Sequence, residues 1–305
     1  MVKWLNSSTK SALLIIILSF HWTMEGEASA WTLEKGGFLS KLTFIGSRSS
    51  SRFNNNSERD QLPFNGLSQT MTTSLDLSYG LRNALTLSAS FPLISYDLKQ
   101  DLNPISGKGF GDIRTGAKFN FSDSPFTSSL EFVVKFPTAS SQNPSLIRVG
   151  EGQFDFEFVS SNGFLWNLLR GYSNVELGYR VRLENRKDSV NPGNELLYRI
   201  ESGYSFLEDW TGVMSVNGFW GEDYEFFDLP LDFQRNLLTL TPSLVYRMNH
   251  LWGLNLSLGV PILGRSTFAG PQLALGLFYS KSSSTGQLGN INLPLIQGSS
   301  CCTVQ

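Results

Sequence analysis

At 305 residues with a formal net charge of −2, the chain is long enough for one large domain and too nearly neutral for nucleic acid to be its partner. Charged residues make up 16% of it, below the roughly 25% usual in soluble domains. Two histidines and two cysteines leave no metal-binding cluster and no disulfide framework, so no cofactor or metal is expected.

The first stretch reads as an export signal. Lys3 and Lys10 form a basic region, Ala12 to Phe20 an apolar one, and Ala28-Ser29-Ala30 a cleavage site, so the mature chain should begin at Trp31. The apolar run is shorter than the ~20 residues a spanning helix needs. Without a Cys near the site, this is no lipoprotein signal. Cys301 and Cys302 lie at the far end, and Cys302 to Gln305 matches a prenylation box by pattern. Opposite an export signal that match reads as an accident.

From Met71 to Leu93 the chain alternates strictly. Leu75, Leu77 and Tyr79 interleave with Ser74, Asp76 and Ser78; after a short turn, Leu85, Leu87, Ala89 and Phe91 interleave with Thr86, Ser88 and Ser90. That period is an antiparallel hairpin. Similar units recur after Tyr204 and Tyr246, and strands close at Pro92, Pro137 and Pro261, as befits a residue that donates no ladder hydrogen bond. The expected strands are 37–48, 69–80, 85–94, 111–121, 128–136, 152–160, 172–183, 195–206, 211–220, 236–247, 253–263 and 270–279.

The connections carry more information than the strands. Residues 49–68, 95–110, 137–151, 184–194 and 221–235 read as long polar loops; 81–84, 122–127, 207–210 and 248–252 read as short turns. Long and short alternate, as the extracellular loops and periplasmic turns of outer-membrane barrels do. Two connections depart from the rule. Residues 161–171 should be a short turn, yet Phe164, Leu165, Trp166, Leu168 and Leu169 suggest either a short interfacial helix or extra strand residues. Residues 264–269 make an unusually short external loop.

Mid-chain, the two faces of each strand separate. Phe132, Val134 and Phe136 oppose Glu131 and Lys135; Val175, Leu177 and Tyr179 oppose Glu176 and Arg180. A soluble barrel would have to pack all this Phe, Tyr and Leu into one lumen, which is too bulky for a small barrel interior. A membrane barrel turns the same face to lipid. Tyr79, Phe121, Trp166, Tyr204, Trp210, Tyr246, Trp252 and Tyr279 gather near the short turns, like an interfacial aromatic girdle. The fold expected is therefore all-β: a single transmembrane up-and-down antiparallel barrel of about twelve strands. The chain divides into a signal peptide (1–30), the barrel (31–279) and a Ser/Gly-rich tail (280–305), and belongs in the bacterial outer membrane.

Two pieces carry a family resemblance: Tyr79-Gly80-Leu81 followed by Leu85, Leu87 and Phe91-Pro92, and the run Gly109-Phe110-Gly111-Asp112-Ile113-Arg114-Thr115-Gly116-Ala117-Lys118-Phe119. Together they resemble the outer-membrane "meta-pathway of phenol degradation" family, loosely over 37–279. The resemblance implies a transmembrane barrel passing hydrophobic or aromatic compounds across the outer membrane. Phe278-Tyr279 matches the terminal aromatic that the barrel-assembly machinery reads; the tail beyond it departs from the pattern.

Catalytic readings are poorer. Gly107 to Asp112 lacks the ending of a phosphate loop and opens a strand; it reads instead as a loop needing positive φ. Barrel lipases need a His–Ser pair, yet His21 leaves with the signal and His250 sits in a turn. No enzyme activity is expected. What remains is the lumen wall: Asp112, Arg114, Lys118, Glu131, Lys135, Asp155, Glu157, Glu176, Arg180, Arg182, Glu195, Arg199 and Glu201 should line a pore whose other wall is mainly Ser, Thr, Asn and Gly, with Lys41, Asp76 and Arg247. The rival readings are a non-conducting barrel that binds through loop residues such as Arg52, Arg59, Tyr224, Phe226 and Phe227, and a soluble periplasmic lipid carrier with its faces inverted.

Overall fold

The computed structural model describes residues 30–101, 104–122, 126–139, 149–166, 170–186, 189–227 and 229–282. The signal region, most of the tail with Cys301 and Cys302, and Leu168 and Leu169 lie outside the described residues. Twelve long strands form the barrel: β1 (Phe38–Ser49), β2 (Leu67–Arg82), β3 (Leu85–Lys99), β4 (Ile113–Ser122), β5 (Phe126–Phe136), β6 (Asp155–Trp166), β7 (Gly171–Arg182), β8 (Glu195–Ser205), β9 (Trp210–Phe226), β10 (Leu229–Arg247), β11 (Trp252–Arg265) and β12 (Gln272–Lys281). Each pairs antiparallel with its sequence neighbours. The ring closes between β1 and β12, from Phe38↔Lys281 to Ser47↔Gln272. Closure leaves no sheet edge, the condition for strands to cross a bilayer.

Outward positions are apolar and inward ones polar. Leu130, Phe158, Leu177 and Ile200 are exposed, while Lys135, Asp155, Glu157 and Arg182 are buried. The expected girdle faces outward at the short-turn end: Trp252 meets Tyr279 at 5.0 Å between ring centroids, and Trp210 stacks on Tyr246 at 4.5 Å.

Three stretches differ from expectation, and at a fourth the structure decides between the two readings left open. Residues 221–235 are not a loop: β9 and β10 run on to Phe226 and from Leu229, making strands of 17 and 19 residues against 10 to 12 in β4–β7. Within 95–110, β3 continues to Lys99 and Ile105–Phe110 pairs back on it. Residues Phe164 to Trp166 extend β6 rather than forming a helix. Positive φ among the described glycines occurs at Gly36, Gly152 and Gly193, not in 107–112. Gly111 is needed there for contact instead: a Cβ would lie 2.9 Å from Ile94 Cδ1 while its N–H donates to Pro92 O at 2.9 Å.

Candidate functional site: the lumen and its closures

The thirteen charged residues singled out from the sequence all face inward, because each lies in the phase opposite the lipid-facing residues of its strand. They sort into two layers. The layer toward the long loops contains Asp112, Arg114, Lys135, Asp155, Glu157, Arg180, Arg182 and Glu195. Arg114 Nη2 lies 2.5 Å from Glu157 Oε2, and Arg180 Nε 2.7 Å from Glu157 Oε1. Arg180 also pairs with Glu195, which Arg182 Nη1 reaches at 3.0 Å. Lys135 Nζ sits 3.2 Å from Asp112 and 3.0 Å from Asp155. The layer toward the short turns holds Lys118–Glu131 at 3.2 Å, the Arg199–Glu201 pair, and Glu176, which accepts from Asn174 Nδ2 at 2.6 Å. Tyr172 Oη donates to Glu201 at 2.6 Å. Val133, Val159 and Leu197 lie between the layers on the same inward face.

Sequence reasoning missed two charges that belong to the outer layer. Glu151 comes from a loop, where no period marks it; its carboxylate lies 2.6 Å from Arg182 Nη2, 2.9 Å from Lys135 Nζ and 3.8 Å from Arg235 Nη1. Arg235 lies on the extended part of β10, in phase with the inward Leu237 and Thr239, and that alternation was the available signal. Asp112 anchors the loop that carries Glu151: it accepts from the N–H groups of Ala139 and Glu151, both at 3.1 Å. Burial pushes the Glu151 carboxyl up, but Arg182, Lys135 and Arg235 together hold it well below its ordinary value.

A cavity of about 350 Å³ lies inside the barrel. Its more charged side is formed by Arg114, Lys118, Glu131, Glu157, Glu176, Arg199 and Glu201, and its other side mainly by Ser and Thr of β1–β3 and β9–β11, including Thr72, Ser88, Ser215, Thr241 and Ser257, with Lys41 and Asp76 among them.

Chain segments lie across both ends of the cavity and narrow them. At the short-turn end, residues 30–37 cross the mouth. Leu33 N–H donates to Thr86 Oγ1 at 2.8 Å, Gly36 N–H to Gly80 O at 2.7 Å, and Trp31 meets Tyr172 edge-on at 5.9 Å. Tyr172 is on β7, half-way round the ring from β1. At the long-loop end, Leu62, Tyr96, Leu98, Tyr224, Phe233 and Phe268 form an apolar cluster. Tyr224, expected in a loop, points inward because register shifts between Trp220 and Glu225 change the phase of β9. Arg59, expected to be available to a ligand, is exposed and donates to Ser51 Oγ at 3.0 Å and Ala269 O at 3.2 Å.

A closed up-and-down barrel with an apolar outer band and a charged, ion-paired interior is a transmembrane β-barrel of the outer-membrane kind. Over residues 49–277 the sequence matches the family described as "Putative MetA-pathway of phenol degradation", and the chain belongs to that family. Among solved structures, it is similar to the COG4313 outer membrane channel from Pseudomonas putida F1, with a TM-score of 0.70 and 13% identity over 85% of this chain and 100% of that one. Weaker likenesses are to the KdgM porin (TM-score 0.46, 14% identity, 79% of this chain and 99% of that one) and to the toluene transporter TodX of Pseudomonas putida (TM-score 0.41, 9% identity, 87% and 95%). A comparison with curated protein sequences finds no match. The fold and family place the chain in the bacterial outer membrane.

Proposed function

We propose that the barrel is an outer-membrane channel for small hydrophobic or aromatic molecules, with the thirteen charged wall residues lining its path. One observation carries this: the cavity between a paired charged wall and a hydroxyl wall ends outward in an apolar, aromatic-rich cluster. Such a cluster favours apolar solutes at the mouth, and a wall whose charges are already paired does not hold ions tightly. The reading is one of transport rather than catalysis. It includes a mature chain starting at Trp31, outer-membrane lipid around the apolar band, and insertion by the barrel-assembly machinery. The narrowed ends favour the rival, a non-conducting barrel that acts through its loops. Planar-bilayer conductance of the purified mature chain, with vesicle uptake of benzyl alcohol and of a pentose, decides between them. Entry of benzyl alcohol faster than into protein-free vesicles supports the channel; no current and entry of both solutes at the protein-free rate supports the rival.

A further inference from the structure

We propose that Lys135, Arg182 and Arg235 form a carboxylate-binding site in the outer half of the lumen, occupied at rest by the chain's own Glu151, and that it receives solutes bearing a carboxylate on a small apolar or aromatic body. The proposal deepens the channel reading and rests on it for the solute's route.

The geometry is that of a bound carboxylate. Both Glu151 oxygens are taken by cations from three strands: Oε1 by Arg182 at 2.6 Å with Arg235 at 3.8 Å, and Oε2 by Lys135 at 2.9 Å. A carboxylate held on one oxygen by a guanidinium N–H and on the other by an ammonium is a strong, charge-assisted arrangement. The tether sets Glu151 apart. The other charges of the outer layer sit on strands or, for Asp112, on the residue before one, whereas Glu151 is carried by a loop. Its side chain is 21% exposed while those of Lys135, Arg182 and Arg235 are at most 5% exposed, so the occupant is the reachable member.

The charge balance agrees. Among the described residues, Glu151, Asp112, Asp155, Glu157 and Glu195 face Arg114, Lys135, Arg180, Arg182 and Arg235, five carboxylates against five cations. With Glu151 withdrawn, the layer is one positive charge in excess, which a monocarboxylate neutralises. An apolar body has a place beside it. Arg182 Nη1 and Arg235 Nη1 both donate to Tyr224 Oη, at 3.3 and 3.0 Å, and Tyr224 packs edge-on against Phe233 at 5.1 Å within the outer apolar cluster. The Arg235 guanidinium also lies 5.5 Å from the centroid of the Phe219 ring.

The test uses the purified mature chain with benzoate as the acid and benzyl alcohol as its neutral counterpart, read by titration calorimetry in detergent and by planar-bilayer current. Glu151→Gln removes the competing charge and should bind benzoate about tenfold tighter than wild type or better, with benzyl alcohol unchanged. Adding Arg235→Gln should cancel the gain. Asn185→Ala removes the 2.8 Å bond from Asn185 Nδ2 to Glu151 O but leaves every charge in place, and should tighten benzoate binding in the same direction, so the idea stays testable if Glu151→Gln does not fold. Benzoate affinity unchanged in both single variants, or an equal gain for benzyl alcohol, overturns the site. If no variant carries current while the benzoate differences persist, the channel reading fails and the site stands.

Discussion

Leu177 offers the sharpest test of which face meets lipid. It lies mid-way along β7, opposite Ser160 of β6 and Tyr198 of β8, and its side chain is 56% exposed on the outer surface. In water, Leu→Arg at such a place would change stability by no more than about 0.5 kcal/mol. At the midplane of a bilayer the same change costs about 2–4 kcal/mol, falling to about 0–1 near the interface. Leu183 provides the internal control: it is also exposed and lies one residue beyond the end of β7, at the rim. The expected result is a gradient, with Leu177→Arg losing about 2–4 kcal/mol and Leu183→Arg less than about 1. Urea titration of folding into vesicles, followed by the heat-modifiable band on gels, measures both. Equal, small effects at the two positions, together with recovery of Leu177→Arg from the soluble periplasmic fraction, would refute the membrane assignment.

Replacing Arg180 and Arg182 by Ala leaves the five outer carboxylates facing three cations; single-channel conductance should rise and the reversal potential across a salt gradient should shift toward cation preference, whereas Ser257→Ala on the hydroxyl wall should change neither. A Cβ at Gly80 would fall 1.9 Å from Glu34 O, so Gly80→Ala should displace residues 30–37 from the mouth and raise conductance without loss of insertion. The Glu151 carboxyl is held below its ordinary value of 4.5, so its ion pairs are fully formed above that pH and are lost as pH falls through the lower folded value; the difference in reversal potential between wild type and Glu151→Gln should be constant from neutral pH down to that ordinary value and shrink only below it. A chain stopped after Ser282 keeps all of β12 and the Ser282 Oγ to Glu34 bond, and should insert as the full chain does.

The parts of the fold legible in the sequence were those where one strict alternation held from end to end. β4 to β8 carry Lys, Arg, Asp and Glu in one phase and Phe, Leu, Tyr and Val in the other, so strand and inward face could both be read from the sequence. Reading failed where the phase changed or had no carrier. In β9, Asn217, Phe219 and Gly221 point inward; the register shifts that follow turn Tyr224 inward as well, and a polar Gly-Glu-Asp run at 221–223 disguises the strand as a loop. Glu151 sits among no periodic neighbours, so nothing in the sequence connects it to Lys135 or Arg182. Residues 30–37 read only as the start of the mature chain, because no local pattern states that Trp31 ends against Tyr172 on the far wall.

The segment after Pro92 was misread for a deeper reason, which also explains how the lumen is closed. Along β3 the inward residues are Thr86, Ser88 and Ser90 up to Pro92, then Ile94, Tyr96 and Leu98, while the outward ones change from Leu87, Phe91 and Leu93 to Ser95, Asp97 and Lys99. The two faces exchange character along one unbroken strand. A single change of solvent accounts for it: where lipid surrounds the barrel, the apolar face must point out, and where the strand rises into water, it must point in. The outer cluster of Leu62, Tyr96, Leu98, Tyr224, Phe233 and Phe268 is then an ordinary hydrophobic core, formed above the bilayer by the tall strands β3, β9 and β10, the loop after β1 and the connection between β11 and β12. Below it the walls are held by continuous ladders and buried ion pairs, where removing one partner of a pair costs about 3–5 kcal/mol. Among the described residues, neither the cover at the short-turn end nor the Glu151 loop has such a ladder. Residues 30–37 attach through a few hydrogen bonds and the Trp31 contact, and the Glu151 loop through Asp112, Asn185 and its three cations. A solute crossing this barrel therefore meets least resistance at segments that the strand pattern does not encode, which is why alternation could describe the pore wall and say nothing of what closes it.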